Sequence, residues 1–331
     1  MLNQRRALRC WQMVPVLSTK RSTTLINNIF PEQVLRWGDL GRSLTHDLGP
    51  AGRAPRLALV ANLHGDDLNG LFVLSRLTAF LRNVAAGRRR GLQLRERVVI
   101  VPGVEEANAG AGRWNARWAR GRRPGSSRVL ESVMAMTRMA YYRVEVRAAG
   151  CELEELPQVW LSAPSDDERA SACLFGLPAV VEQAADENAR ALAQGWRGES
   201  GENFVICAGQ AGALQTRHCE TLFRALAAFL ERTGVIGGLR LVEDEEDVHY
   251  FDRRQACDVR AKPSGMFHST LEVGCWVAAG EELGWIYDSF TGQTRSPVLA
   301  PVAGLLAGLR RQPLLCEGNL VARILVSTSV G

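Results

Sequence analysis

Apolar runs, broken by Gly, Pro and polar turns, organise the first two thirds of the chain. Arg56-Leu57-Ala58-Leu59-Val60-Ala61-Asn62-Leu63 is almost wholly apolar and ends in His64-Gly65. A run without alternation reads as a strand covered on both faces, as in a parallel sheet. Residues 68–81 then carry apolar positions at helical spacing, and Val98-Val99-Ile100-Val101 predicts a second buried strand, closed by Pro102 and Gly103. Residues 126–142 predict a helix with Ser126 or Ser127 as N-cap. Residues 144–146, 157–161 and 204–207 read as strands, 177–181 is short and apolar, and 187–194 reads as a helix. Residues 216–232 form a clear amphipathic helical pattern that ends near Gly234. Strands alternating with helices predict a largely parallel α/β sheet.

The texture changes after Gly237-Gly238. Short strand-like runs, such as Gly265-Met266-Phe267 and Leu283-Gly284-Trp285-Ile286-Tyr287, are separated by Gly, Pro and Asp. The expected organisation is an N-terminal extension over 1–50, an α/β domain over 51–238 and a small all-β domain over 239–331. The extension shows no strong period and is expected to add an edge strand or a peripheral helix.

Composition narrows the class. The chain has 331 residues, 46% hydrophobic and 23% charged, which is the balance of a soluble globular protein and excludes dominant disorder. No apolar run approaches the roughly 18 residues of a membrane span. The first residues are basic, but Gln12 and Pro15 break up the short apolar stretches after them, so no secretory signal is read there. Eight scattered cysteines without a CxxC pair suit reduced thiols in the cytoplasm.

The net charge is +5, and its make-up says more than its size. Lys20 and Lys262 are the only lysines among 40 basic residues. A codon bias of GC-rich genomes accounts for most of that. Residues 82–147 nevertheless hold fifteen arginines against five acids. Trp114 and Trp118 interleave with them, a composition that can grip phosphates and stack bases. A solvated basic loop or a pocket for a small anion is the preferred reading over nucleic acid.

The sharpest chemical signal is Asn62-Leu63-His64-Gly65-Asp66-Asp67-Leu68-Asn69-Gly70, at the C-terminal end of the first buried strand. Open α/β sheets build their sites there. An imidazole and a carboxylate three residues apart across a strand-to-helix turn can both reach one metal ion.

This segment resembles the first zinc motif of the succinylglutamate desuccinylase/aspartoacylase family, within the zinc carboxypeptidase clan. That pattern is His-Gly-Asp-Glu followed by Asn-Gly. Val144-Glu145-Val146-Arg147 resembles the family's Asp-Leu-His strand, and residues 201–212 resemble its Gly-x-Pro-(apolar)-x-x-x-Glu-x-Gly strand. Residues 265–267, 271–277, 280–287 and 300–304 are similar to its C-terminal β domain. The resemblance implies a zinc-carboxypeptidase-like, mostly parallel sheet flanked by helices, a small C-terminal all-β domain, and zinc-dependent hydrolysis of an N-acyl amino acid.

The same resemblance exposes departures. It implies two His and one Glu as zinc ligands, with a further Glu as general base. His64 is retained, and Asp67 replaces the Glu ligand one methylene short. The second His position falls on Arg147, which has no lone pair to offer a metal and would repel one. The base position falls on Ala208 counted from Gly201, or on Cys207 counted back from the following helix. The family's carboxylate-gripping motif corresponds to residues 113–125, where Arg113, Asn115, Arg117 and Arg123 are candidate substrate-binding residues.

The expectation is therefore a protein without zinc, its only candidate ligands His64 and Asp67, that has lost the family reaction. It would act as a pseudoenzyme: a ligand-binding or partner subunit for a small carboxylate-bearing molecule. A homo- or hetero-oligomer, with an active relative as one partner, fits that role. The alternative is an active metal-dependent deacylase, its site completed by Cys207, His218 or His249. Of these, Cys207 reads as a buried strand residue, His218 as a surface residue of the 216–232 helix, and His249 as part of an acidic stretch.

Overall fold

The computed structural model describes residues 45–61, 66–103, 127–183, 192, 195–240 and 247–326, with backbone alone for 127–130. The chain forms β1 (His46–Leu48), β2 (Leu57–Ala61), α1 (Leu68–Ala85), β3 (Val98–Val101), α2 (Ser127–Thr137) and β4 (Tyr142–Arg147). It continues with β5 (Leu153–Ser162), α3 (Asp166–Ala172), β6 (Ala179–Gln183), β7 (Glu202–Gly209) and α4 (Thr216–Arg232). The C-terminal segment contributes β8 (Ala256–Arg260), β9 (Gly304–Arg310) and β10 (Leu320–Leu325) to the same sheet.

The main path across that sheet is β1-β3-β2-β4-β7-β5-β9-β10-β8. Strands β3, β2, β4 and β7 are mutually parallel, which is why β2 and β3 carry no polar face. Strand β5 runs antiparallel to β7 and parallel to β6, and β9 joins antiparallel to β5. A separate antiparallel sheet runs in the order Thr294–Leu299, Glu282–Tyr287, Gly265–His268, Leu314–Leu315. The fold is thus α/β with a parallel centre flanked by helices and an antiparallel C-terminal part. Among the described residues no helix is long and apolar enough to cross a membrane.

Alternation along β4 sends Tyr142, Val144 and Val146 to one face and Arg143, Glu145 and Arg147 to the other. On the first face the rings of Tyr142, Phe175 and Phe204 gather around Phe229 of α4, with Phe175 stacked on it at 4.0 Å. On the second, Val60, Val101, Val133 and Trp196 form a core beneath α2. Burying such side chains contributes roughly 1.5–3 kcal/mol each.

The element boundary that matters most differs between sequence and structure. The expected helix over 126–142 stops at Thr137, and Tyr142 opens β4 in register with Leu57. The Thr137 hydroxyl donates to the Val133 carbonyl and accepts from Trp196 Nε1, so the helix end is anchored in the core. The Tyr142 ring packs on Phe229, which commits the residue to the sheet. The expected helix over 187–194 falls almost entirely outside the described residues, and of the N-terminal extension only the edge strand β1 and the turn after it are described.

Candidate functional site at the C-terminal edge of the parallel strands

Strands β2, β4 and β7 run in one direction, so the segments that leave their C-terminal ends gather at one edge. The segment leaving β2 holds the motif. His64 lies outside the described residues, as do Arg113, Asn115, Arg117 and Arg123. Asp67 is described: it caps α1, and its Oδ1 accepts from the backbone N–H of Gly70 at 2.8 Å. A Cβ on residue 70 would fall 2.3 Å from Asp67 Oδ2, so glycine is what lets the carboxylate lie there.

Asn69 is fully buried and ties the motif to the loop after β7. Its Oδ1 accepts from the Gln215 backbone at 2.8 Å, and its Nδ2 donates to Gln215 Oε1 at 3.2 Å. The Gly212 N–H also donates to the Asp66 carbonyl at 2.7 Å. Strand β7 ends beneath this lock at Gly209, with φ at +73° and no room for a Cβ beside Gln215 and Asn69.

Arg147 ends β4 and is register partner of Cys207 on β7. It is 5% exposed, and its guanidinium carbon stands 5.0 Å from the centre of the Trp160 ring. Cys207 shares that face and donates from Sγ to Glu155 Oε2 at 3.1 Å. Gln158 Nε2 donates to the same oxygen at 3.2 Å. Burial pushes the Glu155 carboxyl above the ordinary range, against the Cys207 hydrogen bond and the charges of Arg323 and Arg147, which pull it down. Ala208, by alternation, faces the opposite side with Phe204 and Ile206.

His218 is buried, contrary to its reading as a surface residue. Its Nε2 lies 2.7 Å from Glu154 Oε1, which also accepts from Gln215 Nε2 at 2.8 Å. Arg311, next to β9, donates from Nε to the other oxygen of Glu154 at 2.5 Å. Burial would raise the Glu154 carboxyl, but the His218 and Arg311 hydrogen bonds outweigh it and hold it down at about 2. Cys219 also donates to Asn69 Oδ1, and burial together with the Asp67 charge pushes its thiol up to about 11. None of Asn69, Gln215, Glu154 or Arg311 stands out in the sequence as a functional residue; only the Asn-Gly of the motif hinted at the first. His249 lies apart in a short strand beside β6, its ring 5.2 Å from that of Trp276.

These residues do not fit a family-type catalytic zinc, which takes three protein ligands and an open position. Arg147 is a buried cation with no lone pair to offer a metal, and the Cys207 thiol is engaged with Glu155. Among the described residues no three His, Cys, Asp or Glu side chains converge as a metal-binding group.

No protein-family model matches the chain. It is 25% identical over 296 residues to the N-alpha-acetyl-L-2,4-diaminobutyric acid deacetylase of Halomonas elongata, across 82% of each protein. Among solved structures, it superposes on a succinylglutamate desuccinylase/aspartoacylase from Rhodobacter sphaeroides with a TM-score of 0.64 and 21% identity, covering 83% of this chain and 87% of that one. The product-bound ectoine utilization protein EutE (DoeB) of Ruegeria pomeroyi gives a TM-score of 0.62 and 21% identity, covering 83% and 86%. These structures share the fold.

Proposed function

We propose that this chain is a member of the succinylglutamate desuccinylase/aspartoacylase family and binds a small carboxylate-bearing ligand at the family's site without hydrolysing it. One observation carries the reading: a buried guanidinium, Arg147, stands in register with a thiol, Cys207, where the family resemblance implies an imidazole at 147 and a carboxylate base at Ala208 or Cys207. Water reaches a pKa of about 7 only on a bound metal, and a positioned base then adds typically 10²–10⁴-fold. Both supports are replaced together. The chain then serves as a ligand-binding or partner subunit, alone or beside an active relative.

The test is a metal and turnover measurement on the full chain purified without added metal. Elemental analysis is expected to find far less than one zinc per chain. Incubation with N-acetyl and N-succinyl amino acids is expected to release no free amino acid. Stoichiometric zinc that disappears in His64→Ala, together with turnover, overturns the reading.

A second reading, a metal-dependent deacylase with a rearranged site, draws on Glu155. Its carboxylate meets Cys207 from the neighbouring strand, so a base one strand away from the usual place is available to it. That reading requires turnover that falls by about 10²-fold or more in Glu155→Gln.

A further inference from the structure

Three arginines are buried among the described residues, and they differ in one respect. Every nitrogen of Arg143 donates: Nε to Asn203 Oδ1 at 2.7 Å, Nη1 to the Arg138 carbonyl at 2.8 Å, and Nη2 to the carbonyls of Glu199 and Ser200. Every nitrogen of Arg310 donates as well, to Glu152 and the carbonyls of Gln312, Leu314 and Leu320. Arg147, four residues after Arg143 on the same face of β4, donates to no described residue. Its Nε is shut away from solvent without a partner. Buried guanidinium donors are ordinarily satisfied, because leaving them unpaired forfeits their hydration with nothing in return.

The surroundings define what is missing. Trp160 covers the guanidinium, holding it by a cation–π contact. Glu155, a carboxylate whose titration feels the Arg147 charge, is held on its Oε2 by Cys207 and Gln158 and forms no ion pair with Arg147. The donors lie at the edge where the parallel strands end, which is where open α/β sheets take ligands.

We infer that Arg147 is the anion receptor of the site, its fork taking a planar monocarboxylate beside Trp160. The inference rests on the proposal that the chain binds a small carboxylate and names the residue that grips it. A carboxylate matches the paired N–H geometry of a guanidinium. A single cation with a second carboxylate close by suits one negative charge and not the two of inorganic phosphate.

The experiment uses the full chain with isotopically labelled arginine, titrated with acetate and separately with inorganic phosphate at constant ionic strength. The Arg147 Nε–H resonance is identified by its ring-current displacement in Trp160→Phe, which leaves Arg147 in place. Acetate is expected to shift this resonance saturably and phosphate at the same concentrations not to. Arg147→Lys keeps the charge but loses the fork, and is expected to weaken acetate by about tenfold or more. Acetate binding unchanged in Arg147→Lys overturns the inference while leaving the ligand-binding proposal standing. No saturable response of the Arg147 resonance to either anion overturns it, and a response to phosphate alone overturns the carboxylate assignment. Stoichiometric zinc with turnover refutes the earlier proposal independently of Arg147.

Discussion

Arg147 and Cys207 are register partners at the C-terminal ends of adjacent parallel strands, with side chains on the same face of the sheet. Partners of this kind stand about 5 Å apart in backbone, close enough for two side chains to share one ligand. A cation and a thiol at this pair cannot do what an imidazole and a carboxylate would. The pair is therefore where the chemistry of the chain can be rewritten.

Restoring both members is expected to restore metal affinity. The double variant Arg147→His and Cys207→Glu, with His64 and Asp67 unchanged, offers an imidazole ligand where the family resemblance implies one and a carboxylate at one of the two positions it allows for the general base. Elemental analysis should find zinc in the double variant well above the wild-type level. An equal zinc content in both would show that the register pair does not control metal binding.

Asn69 holds the motif to the loop after β7 through two hydrogen bonds with Gln215. Asn69→Ala leaves the half-buried Gln215 N–H without its acceptor, which costs about 1 kcal/mol. Urea unfolding should show the loss as a lower midpoint with an unchanged slope. A variant as stable as the wild type would mean that this lock contributes nothing net.

Gly209 has no space for a side chain. At φ +73° a Cβ would stand 2.3 Å from Gln215 Oε1 and 2.5 Å from Asn69 Nδ2. Gly209→Ala combines backbone strain with that collision and is expected to cost more than about 1 kcal/mol. Gly87, also at positive φ but with open space around it, is the control: Gly87→Ala meets strain alone and should cost less in the same melt.

The Glu154 carboxyl titrates at about 2 in the folded chain against an ordinary 4.5. A depressed carboxyl contributes stability that is full above its ordinary value and is lost as pH falls through its folded value. The window therefore runs from about pH 4.5 down to about 2. Glu154→Gln should be less stable than wild type at pH 7, and the difference should shrink through that window. A difference that stays constant from pH 7 to pH 2 would contradict the assignment.

Much of the parallel sheet was legible because its residues are locally consistent. The unbroken apolar runs became β2 and β3, and the amphipathic pattern over 216–232 became α4 with the same ends. The end of α2 was not legible. Tyr141 and Tyr142 suit a helix by spacing, and it is pairing with Leu57 and packing on the Phe229 ring of α4 that assign Tyr142 to β4. His218 was misread for a similar reason. On a helix wheel it is one polar residue among several, and nothing nearby in sequence announces Glu154, 64 residues away.

The α/β class, the placing of the motif after a buried strand and an arginine at residue 147, where the family resemblance implies an imidazole, could all be read along the chain. Each is a local property: a periodicity, a turn, a residue type. That Cys207 and not Ala208 faces Arg147 came only with the folded sheet, because a strand alternates its side chains and pairing with β4 says which set looks which way. So did the contrast between Arg143 and Arg310, each of whose nitrogens finds an acceptor, and Arg147, whose Nε has none. A hydrogen-bond partner is a matter of three-dimensional distance, and the carbonyls and carboxylates that saturate a buried arginine come from strands and loops far away in the chain.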